Sequence, residues 1–174
     1  ADYRAGSLLA TDYETFLDGG AESAAELAVV FEPGDHTCLH QYAWTRDRLV
    51  MVTLADVASR VEVVTPGSWT RTPLAGIENS TNTVIVAIDD TGDEIFLDSS
   101  GFLTPSTLLH GTADGGVTAI KAAPSFFDAT GMRVEQRFAT SKDGTRVPYF
   151  VVWPKGASAD GGNPTLLYGY GGFE

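Results

Sequence analysis

The chain closes on NPTLLYGYGGFE, residues 163–174, and the reading of the fold turns on these residues. PTLLY (164–168) is a short, fully apolar run, the pattern of a strand buried on both faces of a parallel sheet. It leads directly into Gly169, Tyr170, Gly171, Gly172 and Phe173. A strand that runs into glycines places backbone N–H groups and a polar side chain at the carboxyl edge of its sheet. Glycine lets a ligand approach the backbone closely and accepts positive φ. Tyr170 adds a phenolic O–H donor. Donors grouped in this way stabilise the negative oxygen that develops when an acyl carbon is attacked.

Working outward, VEQRFAT (134–140) alternates with period two, SKDGT (141–145) is a turn cluster containing Asp-Gly, and VPYFVVW (147–153) returns as a second strand. The three pieces predict an antiparallel hairpin. Pro148 lacks a backbone donor, which suits an edge position or a strand start. Residues 156–163, rich in Gly, Ala, Ser and Asp, read as a loop.

Upstream, strand signals dominate. Apolar or alternating runs occupy residues 27–31, 36–42, 48–54 (RLVMVTL), 60–65 (RVEVVT), 83–88 (TVIVAI) and 94–97. Val61, Val63 and Thr65 share one face, and residues 55–59 suit a hairpin connection. Residues 107–110 and 117–121 flank Asp114-Gly115-Gly116, a strong hairpin signal. Helical leaning is confined to residues 13–27, where Gly19-Gly20 interrupts it. Many short, closely spaced strands leave a propeller, a sandwich or a barrel open. At about 40–50 residues per four-stranded blade, residues 1–130 suffice for two to three blades.

Charge divides the chain at the same place. Residues 1–130 hold 19 acids and 6 bases, a net of −13, whereas residues 131–174 hold 4 acids and 5 bases, a net of +1. Two domains are therefore expected, 1–130 and 131–174. The acidic first part argues against nucleic acid, which needs basic surface to meet phosphates. It would tolerate cationic peptides, although solubility alone explains it. No window approaches the roughly 18 consecutive apolar residues of a membrane helix. Residues 1–7 lack the pattern of a secretion signal, so the expected protein is soluble, in the cytoplasm or periplasm, with its compartment unspecified. Cys38 is the sole cysteine and permits no internal disulfide.

SKDGTRVPYFVV (141–152) followed by NPTLLYGYGGFE (163–174) resembles the prolyl oligopeptidase family of serine peptidases. GSLLATDYETFLDGG (6–20) and SGFLTPSTLL (100–109) resemble propeller segments of its bacterial members more loosely. The resemblance implies a mainly β chain: a partial β-propeller over 1–130, then the first strands of an α/β-hydrolase domain over 131–174. In α/β-hydrolases the loop after the third strand supplies part of the oxyanion hole. The resemblance makes Tyr170 the oxyanion donor and sets Phe173 against the substrate proline. Gly171 and Gly172 hold the loop open. It also implies cleavage of short peptides after proline, with no metal or organic cofactor.

One departure from the family is large. No G-x-S-x-G elbow occurs, and the family's serine, aspartate and histidine all follow the YGYGGF loop, so nucleophile, acid and base have no counterpart here. Ser158 lies in a loop without a strand-to-helix turn and is rejected as nucleophile. These residues alone are expected to be inactive, and exposed strand edges are expected to make them self-associate. The competing reading is a non-enzymatic β-propeller interaction module.

Other constellations are weaker. His36, Cys38 and His40 could share one strand face, but a structural zinc site needs about four ligands. Asp89, Asp90, Asp93 and Glu94 surround a turn without the ligand order of a calcium loop. His110-Gly111 reads as a strand end. Trp44, Trp69 and Trp153 read as packing residues.

Overall fold

The strand Leu49–Ala55 organises the chain. It is apolar at nearly every position because both of its faces are covered. Successive strand side chains point to opposite sides. Val50 and Val52 therefore enter one core, while Leu49 and Met51 enter another. All four are essentially inaccessible to solvent. Burying each stabilises the fold by roughly 1.5–3 kcal/mol.

The computed structural model describes residues 2–19, 27–78 and 82–169. The elements, in chain order, are β1 (Leu8–Ala10), α1 (Tyr13–Gly19), β2 (Ala28–Phe31), β3 (Thr37–Trp44), β4 (Leu49–Ala55), β5 (Ala58–Thr65), β6 (Thr70–Pro73), β7 (Asn82–Ile88), β8 (Glu94–Ser100), β9 (Thr107–Thr112), β10 (Gly116–Ala122), β11 (Arg133–Thr140) and β12 (Arg146–Trp153). All pairings are antiparallel. β3 to β6 form one four-stranded meander and β7 to β10 a second, while β1 pairs with β2 and β11 with β12. Two compact units result, Ala1–Phe126 and Phe127–Glu174.

Within the first unit, Val50, Val52, Val61 and Val63 of the first meander meet Ile95, Leu97, Leu109 and Val117 of the second. On the opposite face, Leu49, Met51 and Val64 meet Val30 and Phe31 of β2, with Leu8 and Ala10 of β1 at the margin. The predicted shared face of Val61 and Val63 is observed. Polar groups fix the stacking of the two meanders. The Ile85 amide donates to Gln41 Oε1 at 2.8 Å, and the Thr83 amide donates to the Ser59 hydroxyl at 3.0 Å. Arg48 grips Asp114 with two nitrogens at 3.0 and 3.1 Å.

A strap after β6 adds a backbone contact. The Leu74 amide donates to the Val61 carbonyl, and the Val117 amide donates to the Ala75 carbonyl. Gly76 has φ +92°, and a Cβ there would lie 1.8 Å from the Val117 carbonyl oxygen. Only glycine fits that approach.

Three local features depart from the sequence reading. The helix spans Tyr13–Gly19, capped by Asp12, whose Oδ1 accepts the Thr15 amide at 3.0 Å; residues 20–26 of the expected helical stretch lie outside the described residues. β1 and β6 were not anticipated. β6 reads TRTP and is exposed throughout, so it carries no apolar signal. Residues 164–168, expected as a buried parallel strand, form no strand, and Leu166, Leu167 and Tyr168 are 91%, 93% and 83% exposed. A strand exists only where a neighbour accepts its backbone hydrogen bonds, and no described strand pairs with it.

Gly76→Ala combines left-handed strain with overpacking against Val117. It should lower stability by about 3 kcal/mol, measured as an earlier urea midpoint. A midpoint unchanged from the parent would contradict the close approach.

Candidate functional site

The expected site residues Tyr170, Gly171, Gly172 and Phe173 lie outside the described residues. The described part of their unit is the hairpin β11–β12 and the segment after it, in which Gly169 is exposed.

Hairpin register pairs Arg133 with Trp153, Glu135 with Val151, Arg137 with Tyr149 and Phe138 with Pro148. Pro148 is tolerated because both strands of a two-stranded sheet are edges. Glu135 joins the two arginines of its own strand: Arg133 Nε reaches Oε1 at 3.0 Å, and Arg137 reaches Oε2 at 2.6 and 3.0 Å. Hydrogen bonding from Arg133 first, then Arg137, lowers the Glu135 carboxyl below its usual range. Both guanidinium groups lie over the Trp153 ring, at 4.9 and 5.7 Å from its centroid, so cation–π attraction assists the ion pairs. On the other face Arg146 covers Phe138 at 3.5 Å.

The SKDGT turn follows from its side chains. Asp143 Oδ1 accepts the Ser141 hydroxyl and, at 3.0 Å, the Thr145 amide. The Ser141 amide donates to the Thr145 carbonyl at 2.8 Å, and Gly144 supplies φ +89°. The Ser141 hydroxyl, then the Thr145 amide, lower the Asp143 carboxyl to about 2. After the hairpin, the Ser158 hydroxyl donates to Asp160 Oδ2 at 3.0 Å and the Gly162 amide to Asp160 Oδ1 at 2.9 Å. Ser158 is thus a loop hydroxyl bound to a carboxylate. The chain's histidines are at positions 36, 40 and 110.

The weaker constellations have local explanations. His36, Cys38 and His40 are all exposed, Cys38 and His40 at alternate positions of β3, and His40 sits at the register shift between Leu39 and Gln41. Among the described residues no three His, Cys, Asp or Glu side chains assemble as a metal site. Asp89 Oδ1 accepts the Thr91 amide and hydroxyl, and Arg46 pairs with Asp47 and Asp93. His110 lies within β9 and stacks on Phe96 at 4.4 Å. Of the tryptophans, Trp69 packs against the core beneath β2, Trp153 packs under the arginines, and Trp44 is 43% exposed. A depression of about 320 Å³ in the first unit is lined by Ser59, Arg60, Glu62, Pro73 and Ile77 among others. Among the described residues no helix is long and apolar enough to cross a membrane.

Packed antiparallel meanders followed by a hairpin define a mainly β protein built from several small antiparallel sheets. No protein-family profile matches the chain. An uncharacterized peptidase of Sinorhizobium fredii is 42% identical over 97% of this chain and 23% of its own length. A prolyl endopeptidase of Elizabethkingia miricola is 30% identical over 75% of this chain and 17% of its own length. Among solved structures, a post-proline cleaving enzyme from Rickettsia typhi superposes with a TM-score of 0.70 at 27% identity, covering 94% of this chain and 24% of that one. The chain belongs to the prolyl oligopeptidase family, and it spans about a quarter of the length of these relatives or less.

Acid weakens the SKDGT turn. The folded-state value of Asp143 is depressed, so the turn gains from its carboxylate above about pH 4 and loses that gain as pH falls toward 2. The Thr145 amide proton shift should titrate with a midpoint near 2, and Asp143→Ala should remove the titration. A midpoint at the ordinary aspartate value would contradict the hydrogen bonding described.

Proposed function

We propose that the chain is a segment of a serine-type endopeptidase that cleaves short peptides on the carboxyl side of proline. The observation that carries this reading is similarity that runs through almost the whole chain, with proteins named as peptidases and with a post-proline cleaving enzyme. The likeness does not stop at the meanders but continues through β11, β12 and the residues beyond them, which a β interaction module would not require.

In this reading residues 1–130 are part of a β-propeller. The meanders β3–β6 and β7–β10 are two blades, and β1–β2 belongs to a third. Residues 131–174 begin the α/β-hydrolase domain, with 164–168 becoming a sheet strand once neighbouring strands are present. Tyr170 donates its phenolic O–H to the oxyanion, Gly171 and Gly172 let the substrate approach, and Phe173 lines the pocket for the proline ring. Serine, aspartate and histidine come from sequence outside these residues, so the 174 residues alone are inactive. No cofactor is needed for acyl transfer through a serine.

The exposed run 166–168 supports the same reading, because apolar side chains so open to water need a covering surface. Light scattering on the 174-residue chain should show dimers or larger species. A stable monomer at high concentration would argue against unpaired edges.

Tyr170→Phe in the longer peptidase, assayed on a proline-containing chromogenic peptide, should lower kcat by about a hundredfold or more. An unchanged rate would remove Tyr170 from the mechanism.

A further inference from the structure

β5 continues past the end of β6. The last residue pair between them is Glu62 with Pro73, after which the Leu74 amide donates to the Val61 carbonyl at 3.0 Å. The chain then turns away, and the Ala75 carbonyl accepts the Val117 amide instead. Backbone groups of an antiparallel strand face its two neighbours at alternate residues. The carbonyl of Val61 faces outward, so the amide and carbonyl of Ser59 do too. Among the described residues no strand pairs with β5 at Ser59 on that side. This open edge borders the depression of about 320 Å³, lined by Ser59, Arg60 and Glu62 together with the apolar Val61, Leu74 and Ile77. Val61 and Leu74 are buried, and Ile77 packs against their cluster. The volume suits a small ligand.

Charge in this notch is unbalanced. Among the described residues, Arg60 alone of the arginines meets neither a carboxylate nor an aromatic ring. Glu62 does not supply its counter-charge, because Arg71 pairs with Glu62 at 3.6 Å. The notch therefore carries a net positive charge on a chain whose net charge is −12. The Ser59 hydroxyl oxygen accepts the Thr83 amide at 3.0 Å, which leaves its own hydrogen to donate. A guanidinium and a hydroxyl are thus both available to one anionic group, and hydrogen bonds to an ionised acceptor are the strong ones.

We propose that this notch binds the carboxyl end of a short free peptide whose last residue is apolar. Arg60 and the Ser59 hydroxyl take the carboxylate. The last side chain lies against Leu74 and Ile77, and the peptide backbone pairs with Ser59 where β6 has ended. Addition of a strand to an open edge and capture of a terminal carboxylate are both recurring modes of peptide recognition. A bare anion would engage the guanidinium but leave the open edge and the apolar lining unused. The overall negative charge disfavours nucleic acid. The inference stands on the geometry of the first unit and does not rest on the peptidase reading.

The test titrates the longer protein, methyl-labelled at isoleucine, with alanyl-alanyl-leucine, a tripeptide without proline. The Ile77 methyl signal, assigned through Ile77→Val, should shift and saturate. The same tripeptide ending in a carboxamide should bind at least about tenfold more weakly, because it lacks the charged acceptor. In Arg60→Met the acid and the amide should bind alike. Absence of any shift at Ile77, or equal affinity of acid and amide for the unsubstituted protein, would overturn the proposal. Acetate or inorganic phosphate that binds as tightly as the peptide would also overturn it, by reducing the notch to an anion site. The comparison of acid with amide uses the unsubstituted protein, so it decides the matter even if Arg60→Met fails to fold. None of these readings involves turnover, so failure of the peptidase reading would show separately in the activity assay.

Discussion

A strand with two buried faces is the constraint on which the first unit depends. β4 has no solvent side, so every residue from Leu49 to Val52 must find an apolar partner, alternately in the second meander and under β2. Three sheets thereby become one packed body. The hydrogen bonds from Thr83 and Ile85 and the Arg48–Asp114 pair fix how the layers align. They contribute specificity more than net stability, because exposed ion pairs are worth little while each buried aliphatic side chain is worth a few kcal/mol.

The hairpin of the second unit is built on a different principle. A two-stranded sheet cannot enclose a core. Its order comes from the Ser141–Asp143–Thr145 turn and from the arginines laid over Trp153 and Phe138. The run from Leu166 to Tyr168 is apolar yet open to water and pairs with no described strand. Both buried hydrophobic clusters thus lie in the first unit, and the described part of the second unit adds none.

Much of this was legible in the residues. RLVMVTL announced a strand, though not that both of its faces would be buried; Asp114-Gly115-Gly116 announced a hairpin, and SKDGT announced a turn. What escaped notice gave a weak signal: β1 is only three residues long, and TRTP forms β6 only because β5 offers hydrogen bonds. The hairpin connection expected at 55–59 is observed, but with positive φ at Asp56 and Val57 and without a glycine. PTLLY shows the converse error, since an apolar pattern states a need for burial and not its fulfilment. The candidate site was legible only through the YGYGGF resemblance. Its four residues lie outside the described structure, so their roles rest on family likeness and on the chemistry of oxyanion donors.

Native-state hydrogen exchange is the most direct test of the central claim that β4 joins three sheets into one body. The account predicts that β4 amides and those of β8 in the second meander share one opening free energy, agreeing within about 1 kcal/mol and equal to that of global unfolding. Independent opening of the β7–β10 sheet, at markedly lower free energy and with β4 still protected, would contradict it.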